Sequence, residues 1–210
     1  MDITYVAIVL GVVLVSMTLH EAMHGFVAYY LGDDTAKLLG RLTLNPIKHI
    51  DPFLTILLPL FLAIAGAPIF GGAKPVPFNP TRVRYGEWGA AMVALAGPLT
   101  NLLLAFVTFG IYAITYDSMQ ALAGVFLIAT MVNLGFFIFN MIPVPPLDGS
   151  RVLYAVAPDG VRRGMELIER NGLIIVFALV LFFSEYIGNF IFGMMQLFIA
   201  LFSAIFGVPY

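Results

Sequence analysis

Apolar residues run almost without interruption from Ile3 to Leu31, from Trp88 to about Thr115, from Ala121 to about Ile142, and from Gly172 to Pro209. About 20 consecutive apolar residues cross the hydrocarbon core as a helix, so each of the first three runs predicts one spanning helix. The fourth is longer than a perpendicular crossing needs. It predicts either a short hairpin turning near Ser184-Glu185 or one long tilted helix. A fifth apolar stretch, Pro52 to Phe70, is broken by Pro59, Gly66 and Pro68. Proline removes a helix hydrogen bond and bends the backbone, so this stretch predicts either one kinked crossing or a re-entrant hairpin enclosed by protein.

The polar intervals complete the outline. Thr35 to Asp51 carries Lys37, Arg41 and Lys48, and its alternating Leu38, Gly40, Leu42 and Leu44 predict a short strand or extended piece, with an interfacial loop as the equal alternative. Three prolines between Gly71 and Pro80 leave an extended or looped segment. In Asn140-Met141-Ile142-Pro143-Val144-Pro145-Pro146-Leu147-Asp148-Gly149 the prolines force the chain out of helix, which predicts a rigid, non-helical setting for Asp148 at or near membrane depth. Ser150 to Arg170, with Arg151, Arg162, Arg163 and Arg170, reads as a surface segment. The expected fold is an all-α polytopic membrane protein. A three-helix core has re-entrant or extended segments between its first and second long helices, and C-terminal membrane helices follow. The expected domain organisation is a single integral-membrane domain over 1–210, its core at about 3–156 and its last membrane part at about 172–207.

Composition agrees with the pattern. The chain is 61% hydrophobic and only 10% charged, where a soluble domain carries about 25% charged residues. A net charge of -2 without a basic patch gives no footprint for nucleic acid. The lack of cysteine excludes disulfides, thiol catalysis and cysteine zinc sites. Met1-Asp2-Ile3 lacks the positive leader of a signal peptide, so the first run is expected as a retained membrane helix. Lys and Arg cluster in 37–48, 74–84 and 151–170 and are missing from the 116–120 turn. The positive-inside tendency places those clusters in the cytoplasm. The first helix then runs out-to-in, the second long helix in-to-out and the third back in, and Pro52 to Phe70 begins and ends inside.

Within the first run lies His20-Glu21-Ala22-Met23-His24. On a helix, positions four apart share a face, so two imidazoles can grip one zinc ion while Glu21 projects beside them toward its water. The bland reading is decoration on an exposed helix face. Ionisable groups inside a spanning helix are costly and mark functional sites by default. A hydrolytic zinc site takes three protein ligands and keeps a place for water. His49 is the only other histidine, so the third ligand is His49 or a carboxylate, and Asp148 is the expected one. Its alternative role is an N-cap for a helix beginning at Gly149 or Ser150. Asn140 is a candidate donor to the developing oxyanion. His49 either serves the tetrahedral intermediate, caps the resting zinc, or sits with Asp51 at the interface. Gly97 permits close helix approach and Asn101 can hydrogen-bond across to a neighbour. Thr100 and Asn133 either line a water path or make interhelical bonds. Gly71 to Pro80, or Gly40 to Leu44, is expected to pair with a substrate's exposed backbone as an added strand.

Taken together, His20-Glu21-Ala22-Met23-His24, Gly97-Pro98 with Asn101, and Asn140 to Gly149 resemble the site-2 protease family of intramembrane zinc metalloproteases. Gly40-Arg41-Leu42-Thr43-Leu44-Asn45-Pro46 and His49-Ile50-Asp51-Pro52 are similar to its compact prokaryotic branch. The resemblance implies zinc ligands at His20, His24 and Asp148, one Zn2+ per chain, a catalytic glutamate at Glu21 and the family's asparagine at Asn140. It also implies cleavage of membrane-embedded helices of single-pass substrates. Neither the PDZ nor the nucleotide-sensing domain that regulatory members append is expected within this sequence, whose longest polar stretch is Gly149 to Asn171. The expected setting is the cell membrane, with the active site toward the cytoplasm. Expected partners are transmembrane substrates and lipid, joined by either a membrane regulatory partner or a second copy. The competing readings are a non-proteolytic zinc-binding membrane protein and, more remotely, a small transporter.

Overall fold

A computed structural model describes residues 3–64 and 71–208. Met1, Asp2, the Gly66 and Pro68 breaks and Pro209 lie outside them. Regular structure among the described residues is entirely helical: α1 (Ile3–Tyr30), α2 (Thr35–Leu38), a 3-10 turn (Pro46–His49), a π turn (Pro52–Leu57), α3 (Leu58–Ile64), α4 (Gly86–Thr115), α5 (Gln120–Asn140), α6 (Asp148–Val156), α7 (Asp159–Glu169) and α8 (Gly172–Phe206). Of these, α1, α4, α5 and α8 are long and apolar enough to cross a membrane.

The core is α1, α4 and α5. Arg84 N–H donates to Leu31 O at 2.9 Å, so the end of α1 meets the start of α4. A short turn then joins α4 to α5. As a result α1 and α5 run one way and α4 the other, which collects the later halves of α1 and α5 and the first half of α4 at one end. Small buried residues on α4, among them Ala90, Ala94, Gly97 and Ala105, let backbones approach where lipid supplies no hydrophobic drive. The buried side chains of α1 run from Ser16 to Ala28, leaving its first half on the outside. Toward the opposite end Phe109, Tyr112 and Ala123 cluster with Ile199 and Phe202 of α8.

The structure bears on three open alternatives. Gly72 N–H donates to Leu54 O at 3.0 Å, Lys74 N–H to His49 O at 2.9 Å, and the Thr55 hydroxyl to Gly72 O at 2.7 Å. Residues 49–55 and 72–74 therefore lie side by side, whereas a single crossing between them would separate them by about 30 Å. The chain comes back to the side it left, as the re-entrant alternative requires. Asp51 starts the stretch by accepting from Phe53 and Leu54 N–H, with Pro52 at the first position. Gly40 to Leu44 is the interfacial loop, not a strand, because Thr43 N–H turns back to Arg41 O at 3.0 Å. The C-terminal membrane part is helical on both sides of a kink at Phe183 (φ -121, ψ 18), the residue just before Ser184-Glu185. The arginine-rich segment forms α6 and α7, joined by an Arg151–Glu169 ion pair and a Tyr154 hydroxyl donating to Glu166.

The setting expected for Asp148 needs one correction. The chain does leave helix after Asn140, but Asp148 is the first residue of α6, and Leu147 occupies the cap position. A carboxylate suits the first turn because the N-terminal end of the helix dipole is positive. The Asp148 carboxylate does not serve as the cap and lies instead against His20 and His24.

Candidate metal centre

His20 and His24 sit one turn apart on the buried face of α1, and across from them runs one stripe of α4 at four-residue spacing: Val93, Gly97 and Asn101. Because the two helices are antiparallel, His24 meets the early end of the stripe and His20 the late end. His24 Nδ1 donates to Val93 O at 2.8 Å, and His20 Nδ1 lies 2.5 Å from Asn101 Oδ1. Gly97 lies between, facing both rings. A Cβ there would stand 2.5 Å from His24 Nε2 and 2.6 Å from His20 Nε2, in the space the two nitrogens share.

The hydrogen-bond network fixes which ring nitrogen carries the proton. Asn133 Nδ2 donates to Ala129 O at 2.8 Å, which turns Asn133 Oδ1 toward Asn101. Asn101 Nδ2 donates to that oxygen at 2.9 Å, leaving its own Oδ1 to accept from His20. Val93 O can only accept. Both imidazoles therefore hold their proton on Nδ1 and present the Nε2 lone pair inward.

Facing those lone pairs is Asp148 Oδ2, 3.1 Å from His20 Nε2 and 3.5 Å from His24 Nε2. The ligand atoms of the three residues lie within 4.8 Å of one another. Two ligands each about 2.0–2.1 Å from a tetrahedral zinc stand roughly 3.3 Å apart, which these spacings bracket. Three converging lone-pair atoms repel unless a cation lies among them. A hydrogen bond can join only two of these atoms, whereas a single metal ion takes a lone pair from all three. The donor set fits zinc.

Gly149 sets the reach of Asp148. A side chain at 149 would run into the Met141 carbonyl, so glycine lets the Pro143 to Leu147 loop close on the end of α5 and brings α6 against α4.

The other expected site residues are placed differently. Glu21 Oε2 accepts from Val76 N–H at 2.9 Å, tying it to the segment between Gly71 and Pro80, which crosses α1 as a strap. Asn140 commits one amide hydrogen to Phe136 O on its own helix at 2.9 Å. His49 is fully buried with Nε2 against Thr43 O at 2.8 Å, and it is not among the converging ligands. Thr100 donates to Ala96 O of its own helix at 2.7 Å, so it makes no interhelical bond through that hydrogen, whereas Asn133 does bond across helices, to Asn101. The strap is held at Lys74 by His49 O, at Val76 by Glu21 and at Asn79 by Asp33 Oδ2 at 2.6 Å. Its N–H donors at Lys74 and Val76 both turn inward and Pro75 and Pro77 have none. Between Lys74 and Pro77 the strap therefore has no donor left for a strand added by a substrate.

Asn101 was expected to bond across to a neighbour and does so, to His20 and to Asn133, although the histidine was not foreseen as its partner. The sequence reading missed the backbone partners Val93 and Val76, which left no signal.

Fold and site define a polytopic membrane protein with a two-histidine, one-carboxylate cluster, built across helices, that could hold a metal ion. The profile of Peptidase family M50 matches residues 6–121 and 114–184, and the chain belongs to that family. YwhC of Bacillus subtilis, named as a candidate zinc metalloprotease, is 42% identical over 206 residues, covering 92% of this chain and 90% of its own. Rip2 of Mycobacterium tuberculosis, named likewise, is 34% identical over 185 residues, covering 86% of this chain and 68% of its own. The zinc in those names accords with the donor set formed by His20, His24 and Asp148. No solved structure matches the chain.

Proposed function

We propose that the protein is an intramembrane zinc metalloprotease. It hydrolyses peptide bonds within or near transmembrane segments of other membrane proteins, from a site that opens toward the cytoplasmic side of the cell membrane. The observation that carries this reading is the convergence of His20 Nε2, His24 Nε2 and Asp148 Oδ2 between apolar helices, with both imidazole tautomers fixed from behind. The whole chain acts as one integral-membrane domain, since the ligands come from α1 and α6 while α4 and α5 orient them.

Bound at these three residues, zinc would supply Lewis acidity and lower the pKa of a water to near neutrality. The chain's own groups do the rest. Asn101, backed by Asn133, keeps the His20 proton on Nδ1, and Val93 O does the same for His24. Glu21 is adjacent to His20 in sequence, and the Val76 N–H on Oε2 leaves Oε1 to take a proton from the attacking water and deliver it to the departing amine nitrogen. Asn140 keeps a second amide hydrogen for a substrate carbonyl oxygen as it gains charge. His49 supports the strap from its buried position.

The cytoplasmic orientation rests on the basic segments, which gather at the end of the bundle where the ligands meet. A substrate helix must unwind to present an amide, since its backbone groups are otherwise bonded within the helix. Glu21→Gln is expected to retain bound zinc and to lose cleavage of a single-pass helix reconstituted with the enzyme in lipid vesicles. Zinc-loaded wild type that leaves a broad panel of such helices intact would favour the non-proteolytic zinc-binding reading instead.

A further inference from the structure

Gly40-Arg41-Leu42-Thr43-Leu44-Asn45-Pro46 takes no part in the metal centre, yet its arginine is buried, with 8% of its surface exposed. Among the described residues no carboxylate pairs with it, and its Nε has no hydrogen-bond partner. Its Nη2 instead donates to Lys74 O at 2.7 Å and to Pro75 O at 3.3 Å. A guanidinium removed from water with only neutral partners is costly, so its position calls for a reason beyond packing.

The peptide between Pro75 and Val76 supplies one. Its carbonyl oxygen faces Arg41 and its N–H donates to Glu21 Oε2 at 2.9 Å. A cation at the negative end of a peptide dipole and a carboxylate at the positive end polarise it in the same sense, and hydrogen bonds joined in series strengthen one another. The peptide unit is planar, so a shift at its carbonyl is passed to its N–H. Arg41 is itself anchored, its N–H donating to Ala36 O at 2.8 Å.

We propose that Arg41 is a positioning residue for Glu21, acting through the Pro75–Val76 peptide. It clamps the strap so that the Val76 N–H holds one carboxylate oxygen of Glu21 and leaves the other free beside the histidines. The inference rests on the reading of Glu21 as the proton-moving group of a peptidase, and the test separates the two.

The test uses the full chain, zinc-loaded, in lipid nanodiscs. With valine amides labelled with nitrogen-15, hydrogen exchange at Val76 is expected to be slow in wild type and at least about tenfold faster in Arg41→Met, partly restored in Arg41→Lys, with Val93 in the α4 core unchanged. Equal protection of Val76 in wild type and Arg41→Met would overturn the proposal, as would a rise shared by Val93, which marks general loosening. On a reconstituted single-pass helix, Arg41→Met is expected to lose about tenfold to a hundredfold in kcat with KM and zinc content little changed. Val76→Pro, which removes the N–H, should lose a similar amount, and the double variant no more than either single. Additive losses, or a loss that follows zinc content, would overturn it. If Arg41→Met fails to fold, Arg41→Lys carries the exchange arm and, with Val76→Pro, the kinetic arm. If wild type cleaves nothing, the peptidase reading fails while the exchange arm still decides the clamp.

Discussion

Helices α4 and α8 have nearly the same hydropathy and similar length, yet 44% of the most apolar stretch of α4 is buried against other elements and only 6% of that of α8. Hydropathy tells that a helix enters the membrane and says nothing of what it faces there. The difference lies in side-chain size and polarity. On α4 the stripe through Ala90, Ala94, Gly97 and Asn101 is small and polar and packs against α1. Most of α8 carries Leu, Ile and Phe outward, with Phe182 79% and Phe192 59% exposed. In lipid such residues need no protein partner, whereas an asparagine does.

The same substitution on the two helices breaks the comparison most sharply. Gly97→Ala should abolish zinc binding, because its methyl group would fall in the space shared by the two Nε2 atoms. Gly193→Ala, which meets nothing within 4 Å, should leave zinc content at wild-type level. Metal analysis of the two purified variants checks both.

Next in size is Asn101→Leu. It removes the acceptor for His20 Nδ1–H and strands Asn133 Oδ1 in a fully buried position. Loss of such an outer partner typically costs 10–100-fold in metal affinity, so a chelator competition should show roughly that fall. An unchanged affinity would mean that the α4 stripe packs against the histidines without orienting them.

The smallest effect concerns the strap at the α4 end, for which α8 has no counterpart. Burial alone would raise the pKa of Asp33, but hydrogen bonds from the Thr35 hydroxyl, Asn79 N–H and Thr35 N–H, and the charge of Arg82, outweigh it and hold the carboxyl below its usual range. A depressed folded-state pKa stabilises above the unfolded value of about 3.9 and loses that contribution as pH falls through the folded value. The Tm advantage of wild type over Asp33→Asn should therefore stay level from about pH 8 to about pH 5 and shrink only below about pH 4. An advantage that instead grows with acid would contradict the assignment.

What the sequence could reveal divides along the same line. The long helices were legible to within about two residues, because continuous apolar runs have no other stable form in lipid. His20, His24 and Asp148 were legible because ionisable residues at membrane depth are few. The re-entry of the Pro52 to Phe70 stretch was not, since prolines permit a kinked crossing equally well and only Gly72 and Lys74 meeting Leu54 and His49 decides. The kink of α8 at Phe183 was hidden for a similar reason: a Ser-Glu pair suits a kink and a turn alike. Val93 O, Val76 N–H and the clamp at Arg41 depend on backbone groups, which every residue carries and no sequence pattern marks.

Zinc stoichiometry of the purified chain in wild type and in Asp148→Ala is the most direct test that α1 and α6 build one centre. The account predicts one zinc per chain in wild type and almost none in the variant, with the helical content of both alike. A variant that holds zinc as wild type does would contradict it.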